Sequence, residues 1–101
     1  MKDRNLYSGL IRLHLLHHAA KAPIFGQEMM DELGRHGYRL SAGTLYPVLH
    51  GMERDGLLRS RSTRRHGRLR RMYRATVEGR KALVIARQRV RELFGEMFAR
   101  H

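Results

Sequence analysis

The chain has 101 residues, of which 42% are hydrophobic, enough for one small domain with a modest core. It contains no cysteine, which excludes a disulfide framework and a thiolate metal site. No apolar run approaches the ~20 residues that cross a bilayer, and no signal peptide precedes the first predicted helix, so a cytoplasmic location with no membrane partner is expected.

The net charge of the chain is +12, and it is concentrated in the second half. Residues 1–56 contain 7 basic and 6 acidic residues, whereas residues 57–101 contain 14 and 3. An arginine-rich segment of this kind indicates that a polyanion meets the second half of the chain. A basic surface that only maintains solubility is the alternative, which the arginine-dominated excess in one segment disfavours.

Two helices are predicted before residue 41. The first covers residues 6–21 and has apolar side chains on two faces, so it needs one partner in its own domain and another outside it. Ala22-Pro23 ends this helix, because the residue before proline is disfavoured in the helical region. A short second helix is predicted over residues 26–33, with Ile24 and Phe25 among its apolar contributors.

Residues 41–56, S-A-G-T-L-Y-P-V-L-H-G-M-E-R-D-G, predict an amphipathic helix. Ser41 is the expected N-cap, and Gly56 is the expected left-handed stop. The apolar stripe, spaced i, i+3, i+4 and i+7, consists of Leu45, Val48, Leu49 and Met52. The opposite face carries Gly43, Pro47, His50 and Arg54, with Thr44 and Tyr46 on its flanks. Helix, turn and a helix with one thin exposed face make a helix-turn-helix layout that suits a DNA major groove.

After Gly56 the sequence predicts a β-hairpin, with strands over residues 57–63 and 69–75 and a turn at His66-Gly67. Eight arginines lie within positions 59–74, so a disordered basic arm is the alternative. The apolar side chains of Leu58, Leu69 and Tyr73 can pack against a core, which favours an ordered β-hairpin over residues 57–75, the wing.

A final helix is predicted over residues 77–99, where apolar residues repeat at intervals of 3, 4, 3 and 4. This pattern is typical of a coiled-coil seam, and no later element covers it. A homodimer is therefore favoured over a fold-back onto the same chain. We expect residues 1–76 to form a winged helix-turn-helix DNA-binding domain and residues 77–101 to form a C-terminal dimerisation helix. The predicted interface is Tyr7, Ile11, Leu83, Ala86, Val90, Leu93, Phe94 and Met97.

The motifs G-T-L-Y-P and E-x-x-G-L within residues 41–58, followed by R-R-M-Y-R-A-T-V-E-G-R-K-A-L at 70–83, resemble the PadR family of bacterial transcriptional regulators. Where the family usually has L-T-x-x-G, this chain has Ala75-Thr76-Val77-Glu78-Gly79. Its single C-terminal helix is similar to that of the smaller subfamily. The resemblance implies a mostly α winged helix-turn-helix dimer with a small β-hairpin. It also implies repression of transcription that is relieved by a ligand or a metal.

The predicted contacts with double-stranded DNA combine the thin face of the 41–56 helix with arginines of the wing. Tyr46 has an equal alternative, packing against the second helix. Pro47 would cost about 3 kcal/mol in an ordinary helix interior, which favours a geometric role. The full set is Ser41, Gly43, Thr44, Tyr46, Pro47, His50, Arg54, Arg64, Arg65, Arg68 and Arg70.

Seven histidines raise the question of a metal site. His14 and His18 lie one helical turn apart, a spacing that can chelate a divalent ion. Two imidazoles alone bind weakly, so structural histidines are the favoured interpretation. No cofactor is predicted, and a metal or small-molecule effector is left open.

The sequence also bears on two other functional classes. An enzyme is rejected, because no nucleophile–base set, phosphate-binding loop or buried carboxylate pair is recognisable. A basic RNA-binding or ribosome-associated module shares the charge but needs stacking aromatics on a sheet face. Tyr73 is the single aromatic residue of the two predicted strands, and it is expected in the core.

Overall fold

The computed structural model describes residues 4–99. Within these residues, four helices and three strands follow one another, and most of the chain is helical, as expected. Their bounds are α1 Arg4–Lys21, β1 Ile24–Phe25, α2 Gly26–Arg35, α3 Ala42–Arg54, β2 Leu58–Arg65, β3 Arg68–Ala75 and α4 Val77–Met97.

Strand β1 was not expected from the sequence. Ile24 and Phe25 pair antiparallel with Tyr73 and Met72 of β3, so the sheet has the order β1-β3-β2. Pro23 keeps the chain extended at this point, and the two residues that follow it are buried. The pairing attaches the wing to the start of α2.

The core lies where α1, α2, α3 and the sheet meet. Leu15, Leu33, Leu45 and Leu49 are fully buried at its centre, beside Tyr73. The hydrophobic stripe of α3 therefore faces inward, as its spacing predicts. The rest of the buried cluster is Ile11, Leu16, Ala19, Ile24, Met29, Met52, Leu58 and Ala75.

Two tight turns position the wing. Gly56 has φ +82° at the end of α3, the left-handed conformation that favours glycine there. His66 (φ 52°) and Gly67 (φ 75°) join β2 to β3, and positive φ at both central residues is the signature of a type I′ hairpin. The predicted hairpin is confirmed, and each strand is longer than expected.

Helix α4 starts against the core and then leaves it. Thr76 caps the helix by accepting the N–H of Gly79 at 2.9 Å, and Gly79 is buried. Leu83 is half-buried against α1, whereas every residue from Arg87 to the end of the helix is exposed. The distal half of α4 therefore projects from the core, and the molecule measures 57 × 31 × 21 Å.

Candidate nucleic-acid interface

Helix α3 begins with an accessible N-terminus. Ser41 occupies the N-cap position in extended backbone geometry, as predicted, but its hydroxyl makes no capping bond to a backbone N–H. Instead it donates to Thr44 Oγ1 at 3.3 Å. The first turn contains no acidic residue. This end of the helix thus carries its partial positive charge without a side-chain acceptor, an arrangement suited to a phosphate oxygen.

All four residues predicted for the solvent face of α3 are exposed: Gly43, Pro47, His50 and Arg54. This exposure agrees with the sequence pattern, and their contact with DNA stays a prediction. Pro47 lies inside the helix and has no N–H to donate to the carbonyl four residues earlier, that of Gly43. The face therefore presents little side-chain bulk at its N-terminal half and hydrogen-bonding groups further along.

Tyr46 packs on α2, one of the two alternatives left open by the sequence. The residue is half-buried, and a Cβ atom added at Gly26 would overlap its phenol ring. Gly26, the first residue of α2, thus allows α3 to approach closely. A phosphate contact by the Tyr46 hydroxyl stays a prediction.

The strand register divides the eight wing arginines between two faces, because side chains alternate along a strand. Arg64 pairs with Leu69, and Ser60 pairs with Tyr73, on the face that turns toward the core and α3. Arg71 belongs to the same face through its pairing with Ser62. The opposite face carries Arg59, Arg61, Arg65, Arg68, Arg70 and Arg74.

Arg70 is already engaged within the protein, and its contact with DNA stays a prediction. Its guanidinium makes two bonds to the Glu28 carboxylate, at 3.3 and 2.8 Å, and lies 4.5 Å from the centre of the Phe25 ring. The hydrogen bond from Arg70 lowers the pKa of Glu28. Arg65 stacks on the same ring at 4.7 Å but stays exposed, as do Arg64 and Arg68.

Glu53, Ser60 and Arg71 form a hydrogen-bonded group that the sequence analysis did not identify. The Glu53 carboxylate accepts the N–H of Ser60 at 3.0 Å, and Arg71 donates to the Ser60 hydroxyl at 2.9 Å. Glu53 belongs to the E-x-x-G-L motif, but its partners depend on the strand register, which no local pattern specifies.

Three histidines, His14, His18 and His36, lie around the carboxylate of Glu32. Glu32 lies 3.0 Å from His36 Nε2 and 3.6 Å from His18 Nε2, and Arg35 also bonds it. His14 stacks near His36, with ring centres 4.8 Å apart. Across residues 4–99 no group of three or more His, Cys, Asp or Glu is arranged to hold a metal ion. A metal held by His14 and His18 stays a low-probability prediction.

The predicted dimer surface needs one correction. Ile11 is 4% exposed and belongs to the protomer core, so a partner chain cannot reach it. The free apolar face of α1 carries Leu6 and Leu10 instead, 70% and 45% exposed. Together with half-buried Tyr7 they line an open groove against α4, whose wall includes Val90, Leu93, Phe94, Met97 and Phe98. Leu83 and Ala86, also predicted, are half-buried where α4 meets α1.

Comparisons with known proteins agree with this architecture. The family model described as "Transcriptional regulator PadR-like family" matches residues 15–85. The transcriptional regulator Rv3488 of Mycobacterium tuberculosis is 50% identical over 94 residues, covering 93% of this chain and 88% of the relative. A PadR family regulator from Eggerthella lenta has 27% identity and a TM-score of 0.77, with 96% of this chain and 88% of the other covered.

A PadR-like regulator from Bacillus cereus shares the fold at 22% identity, with a TM-score of 0.80 and coverage of 96% of this chain and 99% of the other. Separately, no helix within residues 4–99 is long and apolar enough to cross a membrane.

Proposed function

Because the chain belongs to the PadR-like family of transcriptional regulators, whose members are non-enzymatic DNA-binding proteins, we propose that it is a homodimeric, sequence-specific repressor acting in the cytoplasm. One observation carries the proposal. Helix α3 buries Leu45, Leu49 and Met52 and turns Gly43, Pro47, His50 and Arg54 to solvent, beside an arginine-rich hairpin.

In this proposal the N-terminus of α3 enters the major groove. Ser41 and Thr44 hydroxyls and the free N–H groups of the first turn bind a phosphate, which sets the depth of the helix. Gly43 and Pro47 allow the backbone to approach the base edges. His50 and Arg54 then supply donors for bases or flanking phosphates.

The wing supplies the sequence-independent part of the affinity. Arg64 and Arg68 are exposed near the end of the hairpin, and each phosphate contact releases condensed counterions. Arg65 reaches the same end of the hairpin from its stacked position on Phe25. A narrow minor groove also attracts arginine side chains of this kind.

The dimer would be formed by residues 77–101, with residues 1–76 as the DNA-binding unit. The exposed seam on α4 and the free face of α1 supply the apolar surface for a second copy, and a two-fold dimer would present two α3 helices to two half-sites. An effector that binds between these helices would change their spacing and release the operator. A metal ion bound by His14 and His18 is a second candidate for this effector.

The decisive experiment selects bound sequences from a random duplex pool, with structured RNA as competitor. We expect a motif with two-fold symmetry and little competition by the RNA. An asymmetric motif would contradict the dimer. Preference for the RNA would favour the alternative of a basic RNA-binding or ribosome-associated module. The structure argues against this alternative, because Tyr73 is buried and two arginines lie over the Phe25 ring, so neither ring is free to stack on a base.

A further inference from the structure

Glu53 lies in the last turn of α3 and points toward the wing rather than toward solvent. Its side chain is half-buried, and its carboxylate oxygens lie 3.0 and 2.9 Å from the Ser60 hydroxyl. The backbone N–H of Ser60 donates to the same carboxylate at 3.0 Å. One side chain of the helix thus binds both the backbone and the hydroxyl of a single strand residue.

Ser60 is suited to this contact because β2 is an edge strand. The sheet order is β1-β3-β2, so alternate N–H groups of β2 have no strand beside them. Glu53 takes one of these free donors. Arg71, across the ladder on β3, donates to the Ser60 hydroxyl at 2.9 Å. The hydroxyl has one hydrogen, which it gives to Glu53, and a lone pair, which accepts from Arg71.

We propose that Glu53 is a positioning residue that fixes the angle between α3 and the wing. Within the described part of the chain, the bonds of Glu53 to Ser60 are the only side-chain hydrogen bonds that join α3 to the hairpin. They are charge-assisted, and Arg71 extends them to the second strand. Recognition helix and wing therefore meet DNA in a fixed relative orientation.

Whether Glu53→Gln weakens or tightens DNA binding distinguishes a positioning role of Glu53 from simple repulsion between its charge and the phosphates. The inference rests on the proposed function, in which α3 and the wing bind duplex together. A carboxylate close to that surface repels phosphates, so electrostatics alone predicts that Glu53→Gln tightens binding to any duplex. Positioning predicts weaker binding to the selected sequence, by about tenfold, with binding to unrelated duplex unchanged or tighter.

The angle itself can be measured without DNA. The sequence has no cysteine, so spin labels attach only at introduced sites, Ala42→Cys on α3 and Arg68→Cys at the end of the hairpin. Labelled chain is diluted into excess unlabelled protein, so that each assembly carries one labelled copy. We expect a narrow distance distribution in the parent and a broader or shifted one after Glu53→Gln.

Two further variants complete the experiment. Ser60→Ala keeps the backbone bond and loses the hydroxyl link, so its distribution and affinity should lie between those of the parent and Glu53→Gln. Glu92→Gln, an exposed position on α4, removes the same charge far from the wing and should match the parent.

Unchanged distances in both Glu53→Gln and Ser60→Ala would overturn the inference, as would tighter binding of Glu53→Gln to the selected sequence. Should the parent itself bind no duplex, the proposed function is lost. The distance measurement would still show whether Glu53 holds the wing.

Discussion

Tyr73 combines full burial with a hydroxyl that has no hydrogen-bond partner within residues 4–99. Burial raises the pKa of this hydroxyl. A buried polar group without a partner costs about 1–3 kcal/mol. We therefore expect Tyr73→Phe to unfold at the same or a higher urea concentration, with a gain of up to about 1 kcal/mol. A clear loss of stability would mean that the hydroxyl has a bonding partner in solution.

His14 is expected to make the stability of the fold depend on pH. Burial first, and then the neighbouring His36 and His18, lower the pKa of its imidazole, whereas Glu32 raises it. The unfolded chain takes up this proton near the ordinary value of about 6.5, before the folded chain does. Neutral His14 therefore contributes fully to the free energy of unfolding above about pH 6.5. This contribution is lost as the pH falls toward the lower pKa of the folded state.

We expect urea midpoints of the parent to fall between about pH 7.5 and 5.5, and those of His14→Gln to fall less. His66→Asn removes a histidine from the exposed hairpin turn and serves as the matched control. Parallel pH profiles for the parent and His14→Gln would assign the dependence to other groups.

At the scale of the element, the junction between α3, the wing and α4 depends on Gly79. A Cβ atom there would overlap the carbonyl oxygen of Leu57 and lie 3.3 Å from Leu16 Cδ1. That carbonyl also accepts the N–H of Thr76 at 3.1 Å, so it cannot move away without loss of a hydrogen bond. We expect Gly79→Ala to lower the free energy of unfolding by about 3 kcal/mol.

Gly34, near the end of α2, has open space around the same added atom. Gly34→Ala is therefore the control, and it should be neutral or stabilising by about 0.5–1 kcal/mol. Equal midpoints for the two variants in chemical denaturation would contradict the close contact at Gly79.

The wing is tested through the salt dependence of DNA binding. Arg64→Ala or Arg65→Ala should weaken binding across sequences and reduce the slope of log K against log salt by about one unit, because one phosphate contact is lost. Arg87→Ala on α4 removes the same charge away from the wing. Fluorescence anisotropy titrations at several salt concentrations measure the slope, and an unchanged slope would remove that arginine from the contacts.

At the scale of the whole molecule, an apolar surface is left uncovered by the part of the chain that the structure describes. Val90, Leu93, Phe94 and Met97 of α4 are 45–66% exposed, and Leu6 and Leu10 face them across the groove. Leu93→Asp should convert a dimer into monomers, seen by sedimentation equilibrium, and weaken operator binding. Gln88→Asp adds the same charge on the exposed surface of α4 and should stay dimeric. A parent that sediments as a monomer would contradict the proposed assembly.

Much of the fold follows from local patterns in the sequence. The spacing of Leu45, Leu49 and Met52 is enough to orient α3, since a helix with one apolar stripe has one face to bury. His66-Gly67 is enough to close a two-residue hairpin, because both positions tolerate positive φ there. Family membership was also readable from the 41–58 and 70–83 motifs, and the match to residues 15–85 confirms it.

Tertiary structure decided what local patterns leave open. Helix α1 has two apolar faces of similar strength, and only its packing against the other helices and the sheet placed Ile11 inside and Leu10 outside. The strand register, set by long-range pairing, chose which arginines share a face with α3 and brought Ser60 to Glu53. Periodicity is a property of neighbouring residues, whereas the choice between equivalent faces depends on partners distant in the chain.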